Sequence, residues 1–124
     1  MVCALRATCL TGNPPSQVLH LRNAEDLRIA SNPSVLVADG ILVKGPSPLE
    51  QVLFDSGGVI ALQCTDFSVA ELEGLNSIID FDERQYCGRS VLKSVGILAL
   101  VHAEAVEEER FTSPFYDRFQ CIEL

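Results

Sequence analysis

Between Ser34 and Cys64 two turn sequences, Asp39-Gly40 and Asp55-Ser56-Gly57-Gly58, each interrupt a pair of short apolar runs. No other stretch restricts the fold as tightly. A two-residue Asp-Gly loop supplies the left-handed backbone angles of a type I′ turn, whose twist matches the strands that flank it. Residues 35–38 and 41–44 are therefore expected as one hairpin. Residues 51–54 and 59–64 are expected as a second, with a longer Gly-containing loop. Gly45-Pro46-Ser47-Pro48 marks the break between them.

The remaining segments fit around this pair. Residues 2–10, rich in β-branched and small apolar residues, read as a first strand, and Thr11-Gly-Asn-Pro-Pro-Ser16 as a loop, because proline donates no ladder hydrogen bond. Residues 17–22 alternate and read as a short strand. Asn23 is placed to cap one or two helical turns over 24–30, with acids at the start and Arg28 later. The strongest helix signal runs from Ser68 to Ile79. Ser68 and Glu71 have capping-box spacing, and Val69, Leu72, Leu75, Ile78 and Ile79 form an apolar stripe weakened by Gly74. Residues 80–88 read as a polar turn. Residues 91–101 read as a buried strand, with a helix as the alternative over that length. Residues 103–110 favour helix, Ser113-Pro114 resembles a helix start, and a last strand is expected near 120–123.

These elements sum to an α+β fold in a single domain spanning 1–124. It is expected to be a mostly antiparallel sheet, or a partly open small β-barrel, of six or seven short strands. One main helix at about 68–79 and short helical segments pack on it. At 124 residues, with 48% apolar and 21% charged residues, the chain can bury a core without staples.

Charge narrows the partners. The net charge is −8, and residues 61–124 hold five Lys/Arg against twelve Asp/Glu. Such a balance repels phosphate backbones, so neither nucleic acid nor an anionic membrane is an expected partner. Five cysteines (Cys3, Cys9, Cys64, Cys87, Cys121) are an odd number without recurring spacing, which argues against a full disulfide framework. No leader-like segment and no run of ~18 apolar residues is seen, and a cytoplasmic location is the expectation.

Chemistry-bearing residues are sparse. Zinc sites use closely spaced ligand pairs; here His20 and His102 are the only histidines, and His102 with Glu104 would need ligands from elsewhere. No metal site and no cofactor is expected. Cys87, in a polar loop beside Arg89, could act as a thiolate nucleophile with His102 as base and Glu104 or Asp117 orienting the ring. Tyr116 joins this set as a titratable group without an evident packing role. The acid runs Asp80-Asp82-Glu83 and Glu104-Glu107-Glu108-Glu109 read as solvated faces. Gly57-Gly58 precedes a strand rather than a helix and so cradles no phosphate.

Two local resemblances carry no activity with them. Val35-Leu-Val-Ala-Asp-Gly40 and Asp55-Ser-Gly-Gly58 resemble the small β-domain that opens many amidohydrolases. The family's metal-binding His-x-His is missing, with Gln63-Cys-Thr-Asp66 near its place, and no room remains for a barrel. Gly96-Ile-Leu-Ala-Leu-Val101 with Ser113-Pro-Phe-Tyr-Asp-Arg118-Phe is similar to the later part of magnesium-chelatase-like ATPase cores, but the phosphate loop and the carboxylate pair are absent. The expectation is thus an acidic, non-catalytic binding or interaction protein that forms a homodimer, since open sheet edges are commonly covered by a second copy. A small-molecule binder or enzyme, with a pocket between sheet and helix and possibly using Cys87 and His102, is the alternative.

Overall fold

The computed structural model describes residues 2–5, 18–80, 84–102, 104 and 119–122. The expected helices over 103–110 and near Ser113-Pro114 fall outside these residues, Glu104 excepted. So do Tyr116 and Asp117.

In chain order the strands are β1 (Val2–Leu5), β2 (Val18–Asn23), β3 (Ser34–Ala38), β4 (Ile41–Gly45), β5 (Val59–Asp66), β6 (Gln85–Tyr86), β7 (Arg89–Ser90), β8 (Gly96–Leu100) and β9 (Phe119–Ile122). The helices are α1 (Ala24–Ala30), α2 (Pro48–Glu50), α3 (Val69–Glu73) and α4 (Asn76–Ile79), and a π-helical turn, Gln51–Ser56, continues α2. The fold is α+β. Its main sheet is open and ordered β2-β5-β8-β1-β9, with β3-β4 and β6-β7 as separate two-stranded ribbons.

The sheet is mixed rather than a run of hairpins. β2, β5 and β8 are mutually parallel, whereas β1 is antiparallel to both β8 and β9. Register places Leu21 beside Leu62 and Ala99, and Leu19 beside Ile60 and Ile97. Side chains alternate between faces along a strand, so these residues share one face, and it is this face that the helices cover. The opposite face carries exposed His20 and Gln63 beside buried Ala61 and half-buried Leu98 and Leu100. On the far side of the sheet the β1–β9 register sets Cys3 opposite Cys121.

The second expected hairpin does not form. Residues 51–54 are helical, and β5 pairs with β2 and β8 in parallel instead of folding back on them. The physical cause lies just upstream. Ser47 Oγ accepts from the Glu50 backbone N–H at 3.1 Å, Pro48 fills the first turn, and Leu49, Val52 and Leu53 fall at helical spacing and are buried. Ser-Pro-Leu-Glu is a helix start, and it wins over the β-propensity of Val52 and Phe54.

The 68–79 helix is also divided. The capping box is present as expected, with Ser68 N donating to Glu71 Oε1 at 2.9 Å and Glu71 N to Ser68 Oγ at 3.1 Å. At Gly74-Leu75 the hydrogen bonding tightens, Leu75 N donating to Leu72 O at 3.0 Å, and α4 starts afresh. The apolar stripe survives the break, because Leu72, Leu75, Ile78 and Ile79 are all buried.

Candidate functional site

β3 and β4 form the type I′ hairpin foreseen around Asp39-Gly40, which sit at φ 52° and 75°. A non-glycine residue at such an angle is tolerated when it is Asp or Asn, and glycine takes the next position freely. Register pairs Val35 with Lys44, Leu36 with Val43, Val37 with Leu42 and Ala38 with Ile41. One face therefore presents Val35, Val37, Leu42 and Lys44, and the other Leu36, Ala38, Ile41 and Val43.

Neither face is covered by the described residues. Val35, Leu36, Val37, Ile41, Leu42 and Val43 keep between 46% and 72% of their surface exposed. Among the described residues the two strands pack essentially on each other. The base of the ribbon is nevertheless well fixed. Ser34 Oγ donates to Pro46 O at 2.9 Å, and a side chain on Gly45 would lie 2.5 Å from that same hydroxyl. Ser47 is fully buried, and Leu49, Val52 and Leu53 anchor the following turn in the core. The result is an apolar arm on a rigid root.

The candidate catalytic residues are distributed differently. Cys87 (φ 50°) and Gly88 (φ 78°) make a second two-residue turn, between β6 and β7, and Cys87 is an exposed free thiol. Buried Arg84 holds this small ribbon against the segment before β8. Its Nη1 donates to Val95 O at 2.7 Å, and its Nη2 to Leu92 O at 3.1 Å and Lys93 O at 3.3 Å. Beside it Arg89 lies over the Phe54 ring, 4.1 Å from the centroid, and Phe54 and Tyr86 are tilted neighbours at 6.3 Å. His102 and Glu104 are exposed and lie beyond the far end of β8. The Cys87 ribbon is thus tied to one end of β8 and His102 follows the other, ends four residue steps or about 13 Å apart at ~3.3 Å per residue.

Among the described residues no three His, Cys, Asp or Glu side chains gather in a way that could hold a metal ion. Between sheet and helices lies a cavity of about 10 Å3 lined by Leu21, Leu49, Ile60, Leu62, Leu75, Ile78, Ile79 and Ile97. That is room for about one water-sized sphere, and the walls bring no hydrogen-bonding side chain to orient a ligand.

The arm was visible in the sequence as a hairpin but not as a surface. Its runs, Val-Leu-Val-Ala and Ile-Leu-Val, lack polar alternation. Strands of that kind normally lie in the middle of a covered sheet. The signal that both faces demand burial was present, and what was absent was any indication that the chain itself leaves them open.

In comparisons with known proteins, no protein-family model, no curated protein and no solved structure matches this chain. The amidohydrolase resemblance also loses half its footing, because Asp55 and Ser56 belong to the π-helical turn rather than to a hairpin loop. No helix among the described residues is long and apolar enough to cross a membrane.

Proposed function

We propose that this chain is a non-catalytic interaction protein that works as a homodimer. The single observation behind this reading is the β3–β4 arm, with six large aliphatic side chains exposed on its two faces. An isolated two-stranded ribbon is marginally stable in water, and an apolar patch of this extent on a monomer generally marks a contact surface. The overall charge is compatible with the reading. The arm contains one acid and one base, Asp39 and Lys44, so two copies of net charge −8 meet there without adding like charges to the contact.

Light scattering on a size-exclusion column tests it. The expected result is twice the 13.5 kDa chain mass at micromolar concentration, falling towards the monomer on dilution. A strict monomer over the whole concentration range would remove the proposal.

A further inference from the structure

We infer that the β3–β4 hairpin is an exchanged arm, enclosed on both faces by a second copy of this chain. The inference rests on the homodimer reading and specifies which surface makes the dimer and how.

Area decides between a one-sided contact and a clasp. The six exposed aliphatics together offer on the order of 600 Å2, which is the upper end of what a single patch on a monomer reaches. One face alone offers about half of that. A specific interface of standard size buries ~800 Å2 on each partner. A contact through one face falls far short of this figure and leaves the other face in water. Burying both faces, together with the surface on which the arm rests, brings each copy close to it. Exchange of an identical element between two copies is a common route to such a dimer, and two-fold symmetry then doubles every contact.

Charge orients the clasp. The Leu36–Ala38–Ile41–Val43 face is free of charge and so meets its own copy in the partner arm. The Val35–Val37–Leu42 face ends in Lys44, which is exposed at the arm's root. That face lies on the body of the second copy, whose net charge of −8 favours an ammonium at the rim of the contact. Each arm strand also has one ladder edge that no described strand occupies, so backbone pairing between copies is open to it. Rigidity at the root limits the entropy lost when the arm is seated: Pro46 and Pro48 restrict the chain, and Ser34 ties it to Pro46.

The test uses the full chain with one charge placed on each face in turn. Ile41→Lys alters the uncharged face and Val37→Asp the other, while Val18→Lys, on an exposed position of β2, serves as control. Dimer dissociation constants come from sedimentation velocity. Far-UV circular dichroism verifies that each fold is kept, as expected for side chains that touch nothing in the core. Both arm variants are expected to weaken the dimer at least tenfold and the control to leave it unchanged. Hydrogen exchange on the unmodified chain provides a readout independent of any variant: amides 34–45 are expected to be slow in the dimer and fast on dilution. If the unmodified chain dimerises and neither arm variant weakens it, the arm is overturned while the homodimer stands. If only one variant weakens it, the contact is one-sided and the clasp is overturned. A chain that stays monomeric but sediments with phosphatidylcholine vesicles would overturn both, and would assign the arm to a lipid surface.

Discussion

At the scale of single residues, Arg84 does more for this structure than any other charged side chain described. A buried guanidinium is costly unless its donors are satisfied, and here three backbone carbonyls of a turn surround it. Its own carbonyl accepts from Val91 N at 2.9 Å, so one residue closes the base of the β6–β7 ribbon and fixes the approach to β8. Arg84→Ala removes one buried and two part-buried hydrogen bonds, and hydrogen bonds to charged groups are worth about 1.5–3 kcal/mol each in net terms. The expected loss is about 2–3 kcal/mol in urea-induced unfolding. Arg89→Ala, which removes an exposed cation–π contact, is expected to cost no more than about 1 kcal/mol. Equal effects would show that the Arg84 carbonyl contacts do not hold the turn. None of this was legible beforehand. Arg84 stands in a polar stretch, Asp82-Glu83-Arg84-Gln85, and nothing in its neighbours announces burial.

The short elements depend on their ends. Asp26 accepts from Arg22 through both Nε (2.9 Å) and the backbone N–H (3.0 Å) and donates its own N–H to Asn23 Oδ1 at 2.9 Å. The Arg22 side chain, then its backbone N–H, holds the Asp26 carboxyl below the usual carboxylate range. Hydrogen bonds from the Ser68 backbone N–H and hydroxyl do the same for Glu71. A carboxylate whose folded pKa is depressed contributes stability that is complete above its unfolded value and is lost as the pH falls through the folded one. Thermal midpoints are therefore expected to be flat from about pH 7 to 5 and to decline below about pH 4. The Asp26→Asn, Glu71→Gln double variant should show a shallower decline, and an unchanged acid limb would detach these caps from it. Sequence reading did well with such ends. Asn23 with 24–30, Ser68 with Glu71 and Asp39-Gly40 all act locally, within four residues. The same capping chemistry operates at Ser47-Pro48-Leu49-Glu50, but Gly45 and the two prolines there also read as a plain break between strands, which hides the helix start.

Pairing between distant strands sets the molecule as a whole, and there local patterns are silent. The parallel run β2-β5-β8 pairs residues some forty positions apart, and no turn chemistry encodes a register between them. The α+β class followed from the alternation of short elements, whereas the open mixed sheet and the projecting arm did not. Charge is also a property at this scale. Two copies at −8 repel over their whole surfaces, and one Lys44 at the rim of each contact offsets only a small part of that repulsion. Raising salt from about 0.05 to 0.5 M shortens the Debye length from roughly 14 to 4 Å, so the dimer is expected to tighten several-fold in sedimentation experiments. A dimer that loosens with salt would place ion pairs at the centre of the contact.

The position of β1 has a consequence for how the chain is made. Among the described strands it is made first, yet its two neighbours, β8 and β9, are made last. At ribosomal rates of ~5–20 residues per second, about 5–20 s pass before Gly96–Leu100 exists for it to pair with. β2 and β5 can join well before then, leaving the nascent sheet with an empty position at one border. Its last step is the docking of the oldest strand between the two youngest, a long-range closure of the kind that slows folding. During that interval β1 lacks both of the strands that flank it in the finished sheet, and a chaperone that shields short apolar strands has its longest opportunity there.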